Sequence, residues 1–487
     1  MIAWTIYLTF AAAVVTLFLP RAGARWVALA AAAGGFAVTS LEFIGTNDLA
    51  ILNTVVRLPW VPVLGMEYHL AFDGISLTLC LVTGLTAVCA VLFSWDVEER
   101  PNEFFFWLLL VVGGSYGVFL SADLFLFFVF YELVIVPKFF LIAIWGSTNK
   151  QYGAMKLTLY SFLGGALVMI GIIAIYATAG KESVASALDV QQLAQFPIAP
   201  AVQAWVFPVL FLGFAILAGI WPLHTWAPTG HVAAPTAGSM LLAGIVMKLG
   251  AYGALRIAMN LLPSGFAMWQ NSIVFAAVIG IVYAAAVALR QRDLKFVIGY
   301  SSVSHMGFVL LGLASATALG ATGAVLQMFS HGVIGALLFA IAGMVYRRTH
   351  TRDLNELSAF GLARALPFAA FAFVVASAAS MGIPGFSGFA AEITILIGAS
   401  KNYPVAVWIT GLGMVLVAAF TLRALKMAFF EESTSAEEQA LTLSPVTLAE
   451  KLGAGLLIFS TLAVGVYPRF LLDRIMPAVE AMSFLKP

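Results

Sequence analysis

Long apolar segments recur along the whole chain and constrain its fold more than any other feature. A bilayer core about 30 Å thick is crossed by roughly 20 apolar residues in a helix, and fourteen stretches of about that length are present. Only 10% of the 487 residues are charged, against about a quarter in soluble domains. The sequence therefore predicts an all-α integral membrane protein with about 14 transmembrane helices.

The predicted spans are 3–20, 26–44, 74–95, 103–120, 122–145, 153–178, 202–220, 236–259, 272–289, 296–316, 321–346, 365–400, 404–426 and 449–470. The stretch 381-MGIPGFSGF-389 interrupts a segment that is too long for one span and predicts a broken helix. The stretch 219-GIWPLHTWAPTGHVAAP-235 predicts a second break. Transporters place such breaks where the released backbone groups face protein or a hydrated cavity.

The charged residues indicate an orientation and exclude several functions. Lys and Arg are about twice as frequent in the loops on one side, which predicts that both termini lie outside the membrane. A net charge of +1 gives no sign of nucleic-acid binding. Cys80 and Cys89 share one apolar segment, and no C-x-x-C, G-x-G-x-x-G or P-loop occurs. These patterns predict no metal or cofactor in this chain, so that redox chemistry belongs to partners.

Ionisable residues inside the predicted spans are the strongest functional signal. Each costs about 2.5–3.5 kcal/mol near the bilayer centre on insertion scales, and such residues are usually functional. The candidate proton-relay residues are Glu132, Lys138, Lys156, Lys248, His305, His331 and Glu392.

Their positions predict different roles. Glu132 and Lys248 lie near mid-depth, where burial favours the uncharged form and makes proton loading and release possible. The alternatives are a permanently protonated acid and a permanently paired cation. Glu392 follows the break and is expected to line a cavity, or else to interact with the new helix N-terminus.

Histidine titrates closest to neutrality, so His305 and His331, on consecutive spans, are interpreted as intermediate proton carriers. Lys156 lies near the end of its span. Its position is equally consistent with a relay and with an ammonium that reaches the membrane surface.

Several stretches together resemble the antiporter-like membrane subunits of respiratory complex I. These stretches are 72-FDGISL-77, 127-FFVFYELVIVPKFFLIAIWG-146, 235-PTAGSMLLAGIVMKLGAYGALR-256, 293-DLKFVIGYSSVSHMGF-308, 325-VLQMFSHGVIGALLF-339 and 345-VYRRTHTRDL-354. The chain ends soon after the fourteenth span, without the long lateral helix of the L-type subunits, and the M type is therefore expected.

The resemblance implies two inverted five-helix repeats. It suggests a division into 1–102, 103–260, 261–430 and 431–487, where the second and third units are the repeats. It also implies that Glu132 faces a neighbouring subunit, that Lys248 is the central relay, that His305 and His331 connect, and that Glu392 lies on the exit side.

One departure from the family pattern concerns the seventh helix. The family usually has a Lys there that pairs with the acid at position 132, and this chain has Leu217. Lys138 stands where the family commonly has an apolar residue. We therefore hypothesise that Lys138 replaces the missing lysine, with the alternative that it contacts the membrane surface or another subunit.

The resemblance implies a non-redox, proton-pumping subunit of NADH:quinone oxidoreductase in a bacterial inner membrane. Partner subunits are expected to carry NADH, FMN, iron–sulfur clusters and quinone, and L-like and N-like subunits are the expected neighbours. The alternatives are an Mrp-type cation/proton antiporter subunit, or a membrane-arm subunit of a related hydrogenase or inorganic-carbon uptake complex. A scaffold whose charges only dock neighbouring subunits is a further alternative.

Overall fold

The computed structural model describes residues 1–180, 187–431 and 443–485. Its first elements are α1 (Trp4–Phe18), α2 (Arg21–Gly45), β1 (Asn53–Val61), β2 (Met66–Phe72), α3 (Gly74–Leu92), α4 (Pro101–Leu120), α5 (Leu124–Leu133), α6 (Ile135–Trp145), α7 (Lys150–Ala179), α8 (Val190–Leu193), α9 (Pro200–Ala218), α10 (Trp226–Ala233), α11 (Thr236–Leu241) and α12 (Met247–Gly253). The π-helical segments Leu242–Val246 and Ala254–Met259 extend α11 and α12 into one span, Thr236–Met259.

The remaining helices are α13 (Pro263–Arg290), α14 (Leu294–Ala314), α15 (Ala318–Thr349), α16 (Leu354–Leu357), α17 (Leu362–Ala365), α18 (Pro367–Ser380), α19 (Ser387–Ser400), α20 (Pro404–Leu425), α21 (Leu448–Val466) and α22 (Arg469–Glu480). A π-helical segment, Lys426–Phe430, extends α20. The predicted four-unit division stays a prediction, and residues 432–442 and 486–487 of its last unit lie outside the described residues.

The helical membrane fold is confirmed. Within the described residues, twelve helices are long and apolar enough to cross a membrane, and α1, α18 and α19 are shorter apolar helices. A helix lies within each of the fourteen predicted spans. Because three of the apolar helices are short, the number of crossings stays a prediction.

Both predicted helix breaks are present, and glycine explains where each begins. Helix α9 ends at Ala218, and Gly219 has φ +72°; α18 ends at Ser380, and Gly382 has φ +68°. Residues with a side chain rarely adopt these left-handed conformations, whereas glycine does so at little cost. The breaks expose backbone groups inside the bundle, and these groups bind side chains of the site described below.

The centre of the bundle contains buried polar side chains, and its outer surface is apolar. The apolar middle parts of α15 and of the span Thr236–Met259 are completely buried, and those of α3 and α14 are almost completely buried. Large apolar side chains of α7, such as Leu159 and Ile173, point outward. The central helices carry Lys248, His305 and His331, so these charges are shielded from lipid by protein.

Strands β1 and β2 form an antiparallel hairpin that the sequence analysis did not predict. Arg57 lies opposite His69 in the pair, and it contacts Glu67 at 2.7 Å and Asp189 at 3.2 Å. His69 Nδ1 is 3.1 Å from the same Asp189 carboxylate. These contacts fix the hairpin to α8, and we call this end of the bundle the hairpin end.

One backbone arrangement occurs at both ends of the bundle. At the hairpin end, Asp123 and Asp189 form an isolated antiparallel bridge, and each caps the helix that follows it. At the opposite end, Asp293 and Asp353 do the same. Two inverted repeats would produce this duplication, although the repeat division itself stays a prediction.

At the end opposite the hairpin, Arg348 joins α15 to α21. Its guanidinium binds both carboxylate oxygens of Glu450, at 2.7 and 3.1 Å, and donates to the carbonyls of Ser444 and Pro445. Glu450 also completes a capping box with Thr447 at the start of α21. The neighbouring Arg347 makes an exposed ion pair with Asp96 at 2.9 Å and approaches Glu450 only to 4.0 Å.

This contrast predicts unequal losses of stability. Arg348→Ala leaves a buried carboxylate without its partner, which is expected to cost about 3–5 kcal/mol. Arg347→Ala removes an exposed pair and should cost less than about 1 kcal/mol. Thermal unfolding of the detergent-solubilised protein, followed by tryptophan fluorescence, measures both variants. Equal midpoints for the two would contradict the anchoring role of Arg348.

Candidate functional site

Lys248 lies at the centre of the bundle. It is on α12, at the middle of the span Thr236–Met259, and is fully buried. In the π-helical turn before it, the Met247 N–H binds the carbonyl of Leu242 instead of that of Ala243. The Ala243 carbonyl accepts a hydrogen bond from the Lys248 ammonium instead. The irregular turn, a type common at functional sites, therefore supplies a ligand for the buried charge.

Three further residues predicted for the proton relay follow Lys248 in space. Its Nζ lies 2.7 Å from His331 Nδ1, and the His331 ring stacks on that of His305 with centroids 5.4 Å apart. His305 Nε2 is 3.6 Å from Glu392 Oε1. All four side chains are buried. We call the sequence Lys248–His331–His305–Glu392 the central row.

The broken helix positions the far end of the central row. His305 Nδ1 lies 2.8 Å from the Ser301 carbonyl, and Nε2 lies 3.1 Å from the carbonyl of Ser380, the last residue of α18. A neutral imidazole can donate to only one of these two acceptors. A proton that reaches His305 therefore finds its hydrogen-bond acceptor already in place.

Glu392 fits the central row because Gly382 leaves room for it. Glu392 lies on α19, just after the break, and a Cβ at position 382 would come within 2.5 Å of its Oε2. The loop of the break therefore closes over the carboxylate at a position where any other residue would displace it.

Glu132 lies apart from the central row, near the end of α5. It is half-buried, and its Oε1 is buried without a hydrogen-bond partner among the described residues. The carboxylate occupies a space left by Gly165 on α7, where a Cβ would collide with Oε1. A buried polar atom without a partner calls for water or a neighbouring group.

Lys138 is buried on α6, and its ammonium has no hydrogen-bond partner among the described residues. Pro137 before it cannot donate a backbone hydrogen bond, and the helix is interrupted at Val134. Lys138 lines a cavity of about 10 Å³ with Leu242 and Val246 of the π-helical turn. That volume is close to the minimum for one water molecule.

The orientation of Lys138 bears on the missing lysine. Lys138 follows Glu132 by six residues, across the interruption at Val134, and the cavity places it against the helix that carries Lys248. Lys138 therefore adjoins the π-helical turn at the start of the central row. Leu217 is fully buried on α9, and its backbone lies against Gly250 of α12. The position of the missing lysine is therefore apolar in this chain.

Lys156 is not part of the central row. It is half-buried on α7, and its Nζ donates a hydrogen bond to Thr229 Oγ1 at 3.3 Å. On the same helix, Tyr160 contacts Thr225 at 3.0 Å. Lys156 therefore contacts the broken region around α10, away from His331 and Glu392.

Two further buried basic residues are not among the residues predicted for the site. Arg256 forms an ion pair with Asp73 inside the bundle, and Lys295 donates to the carbonyl of Ala234 at 2.8 Å. Both are at least nine-tenths buried. The sequence signal for their burial was that each lies in an apolar stretch, Arg256 in GALRIAM and Lys295 in DLKFVIG.

Within the described residues, one cluster has the spacing of metal ligands. Glu67, His69 and Asp189 each place one ligand atom within 4.8 Å of the others. Arg57 already contacts both carboxylates of this cluster. The Arg57 guanidinium therefore already binds the two carboxylates that would otherwise coordinate a metal cation.

Comparisons with known proteins agree on one family. Residues 121–418 match the family model described as NADH:quinone oxidoreductase/Mrp antiporter, transmembrane. The chain is 36% identical to subunit M of an NADH-quinone oxidoreductase from Rhodobacter capsulatus, over 94% of this chain and 90% of that one. It is also 36% identical to chain 4 of an NAD(P)H-quinone oxidoreductase from Microcystis aeruginosa, covering 85% and 75%.

A solved structure supports the same assignment. A chain of respiratory complex I from Thermus thermophilus with bound NADH superposes with a TM-score of 0.91, at 27% identity and with 100% of both chains covered. The chain therefore belongs to the NADH:quinone oxidoreductase/Mrp antiporter transmembrane family, as an M-type subunit of the kind found in respiratory complex I.

Proposed function

We propose that this chain translocates protons across the membrane as a non-redox subunit of a proton-pumping NADH:quinone oxidoreductase. The observation that carries the proposal is the central row, in which an amine, two imidazoles and a carboxyl group approach each other inside buried helices. Such groups are costly in a membrane and are expected to act in transport.

Protons move along the central row in three transfers. One proton leaves the Lys248 ammonium and binds His331 Nδ1, which leaves a neutral amine. A second transfer takes a proton from His331 to His305, where the ring separation calls for a bridging water molecule. His305 then delivers its proton to Glu392. No electrons move in these steps, and each transfer conserves one proton.

Glu132 and Lys138 couple the central row to a neighbouring subunit in this proposal. A charge change beyond Glu132 alters the field at Lys138, whose cavity adjoins the π-helical turn that holds Lys248. Lys138 thus takes the role of the lysine that Leu217 replaces. Lys156 contributes on the side of the broken region, where it and Thr229 hold water for proton uptake.

The redox chemistry belongs to other subunits. We propose that NADH, FMN, iron–sulfur clusters and quinone bind in partner chains, because this sequence carries none of the motifs that hold them. L-like and N-like membrane subunits are the proposed neighbours. The distribution of Lys and Arg supports an orientation in a bacterial inner membrane with both termini, and hence the hairpin end, outside.

An Mrp-type cation/proton antiporter subunit is the second candidate, because the matching family includes both kinds of protein. Membrane-arm subunits of a related hydrogenase or inorganic-carbon uptake complex share the same proposed pump. Transport that depends on sodium, and that continues without NADH oxidation, would favour the antiporter.

Replacement of the central lysine tests the proposal directly. Lys248→Ala removes the first proton carrier, so proton pumping should be lost, and quinone-linked electron transfer should either stop or become uncoupled. Both rates are measured in inverted membrane vesicles after assembly of the complex is verified. Unchanged pumping in an assembled complex would show that the central row is structural, and an assembly defect alone would favour the scaffold alternative.

The role of Lys138 is tested by moving the charge. Lys138→Met should reduce pumping because Glu132 loses its cationic neighbour, whereas the double variant Lys138→Met, Leu217→Lys should recover it. Leucine and lysine stems are both largely aliphatic, which limits the packing change. Full pumping in the single variant would refute the exchange between the two positions.

The geometry at the broken helix gives a further prediction. Gly382→Ala should displace Glu392 from His305 and reduce pumping, since a methyl group there meets the carboxylate. Gly385→Ala is the matched control. It has φ +98° but no atom within 4 Å of the new Cβ. If both variants pump equally, the position of Glu392 does not matter for proton transfer.

A further inference from the structure

A polar pocket opens at the hairpin end and does not belong to the central row. Its volume is about 440 Å³. The lining includes Gln191, Gln195 and Ser483 at its partly exposed mouth, with the buried Asp73, Arg256 and Asn260 at its base. Two other large pockets, lined by Phe207 and Trp221 and by Phe36 and Phe459, are lined mainly by apolar side chains. The hairpin-end pocket is therefore suited to water.

A hydrogen-bonded chain leads from the base of this pocket into the bundle. The Arg256 guanidinium contacts Asp73 Oδ2, and Asp73 Oδ1 accepts from the Ser76 hydroxyl at 3.1 Å. Ser76 Oγ lies 3.3 Å from Tyr252 OH. All four residues are buried, so the chain is shielded from lipid.

The Arg256 side chain brings an unpartnered hydrogen-bond donor to the pocket. It is only 5% exposed, yet its Nε has no hydrogen-bond partner among the described residues. Buried donors are almost always paired with protein or ordered water. A water molecule at the base of the pocket would satisfy this donor.

Tyr252 connects this chain to the central row. It lies four residues after Lys248 on α12, which puts the two side chains on one helix face about 6 Å apart along the axis. In this structure the Lys248 ammonium is directed the other way, toward Ala243 and His331. The Tyr252 hydroxyl donates to the Phe119 carbonyl at 3.0 Å.

We propose that the hairpin-end pocket is a water-filled vestibule, and that Tyr252, Ser76 and Asp73 form a proton-release route from Lys248 to it. This proposal rests on the proposed function. The route is closed while Lys248 contacts His331. Once Lys248 has passed one proton to His331 and has taken up another, the protonated imidazole repels the new ammonium and turns it toward Tyr252.

Release then transfers one proton outward. The Lys248 ammonium becomes a neutral amine, each hydroxyl passes on one proton for the one it receives, and a vestibule water molecule takes up the last. Asp73 receives the proton from Ser76 and passes it to that water molecule, and Arg256 holds the carboxylate in place through their ion pair. Arg256 is thus a positioning residue, while Tyr252, Ser76 and Asp73 carry the proton.

Removal of a single hydroxyl tests the route. Tyr252→Phe keeps the ring that packs on Phe119 and should lower proton pumping by about tenfold. This is less than the roughly 100-fold loss typical of a missing acid–base group, because water can partly replace the hydroxyl. The control is Tyr131→Phe, since the Tyr131 hydroxyl is buried without a partner among the described residues. It should pump normally.

A labelling experiment tests the vestibule independently. Gln195→Cys at its mouth should react with a membrane-impermeant thiol reagent added from the hairpin side, and a positively charged label should slow pumping. Ser400→Cys, on α19 and exposed, should be labelled without this effect. Cys80 and Cys89 are fully buried and give no background.

The outcomes separate this proposal from the proposed function. If Lys248→Ala stops pumping but Tyr252→Phe pumps as well as Tyr131→Phe, the release route is wrong and the pump remains. If neither Lys248→Ala nor Tyr252→Phe changes pumping, both proposals fail. A label at position 195 without effect on pumping would also overturn the vestibule.

Discussion

One buried ammonium group, that of Lys248, needs hydrogen-bond acceptors, and this requirement determines the packing at the centre of the molecule. Lys248 lies where no water-exposed surface is available, so it needs acceptors from the protein itself. The π-helical turn supplies the Ala243 carbonyl, and α15 supplies His331. Both depend on close packing of α15 against the Thr236–Met259 span. The cost of burying Lys248 therefore determines the irregular backbone before it and the choice of its neighbours.

Small residues also make room for the other buried ionisable side chains. Gly165 leaves room for the carboxylate of Glu132, and Gly382 leaves room for that of Glu392. In both cases the glycine lies on an element different from the acid, so the space exists only in the assembled bundle. Packing and charge placement are therefore specified together, because a methyl group at either glycine would move an ionisable side chain.

The sequence predicted the parts of the fold that depend on local composition. Long apolar runs gave the spans, and Gly382 with Pro384 marked the break before Glu392. The π-helical turn was not predictable, because it depends on tertiary contacts of Lys248 rather than on a local signal. Arg256 and Lys295 were not predicted as buried site residues, since hydropathy alone does not show that a partner such as Asp73 lies within reach.

The depth of the central row has an electrical consequence. Lys248, His305 and His331 each lie within a few residues of the middle of their helices. A proton that passes between them travels along the plane of the bilayer and crosses little of the transmembrane voltage. A full crossing costs about 2.3 kcal/mol for each 100 mV. This work is therefore done almost entirely in the passages between the row and the two surfaces, and the voltage dependence of transport resides there.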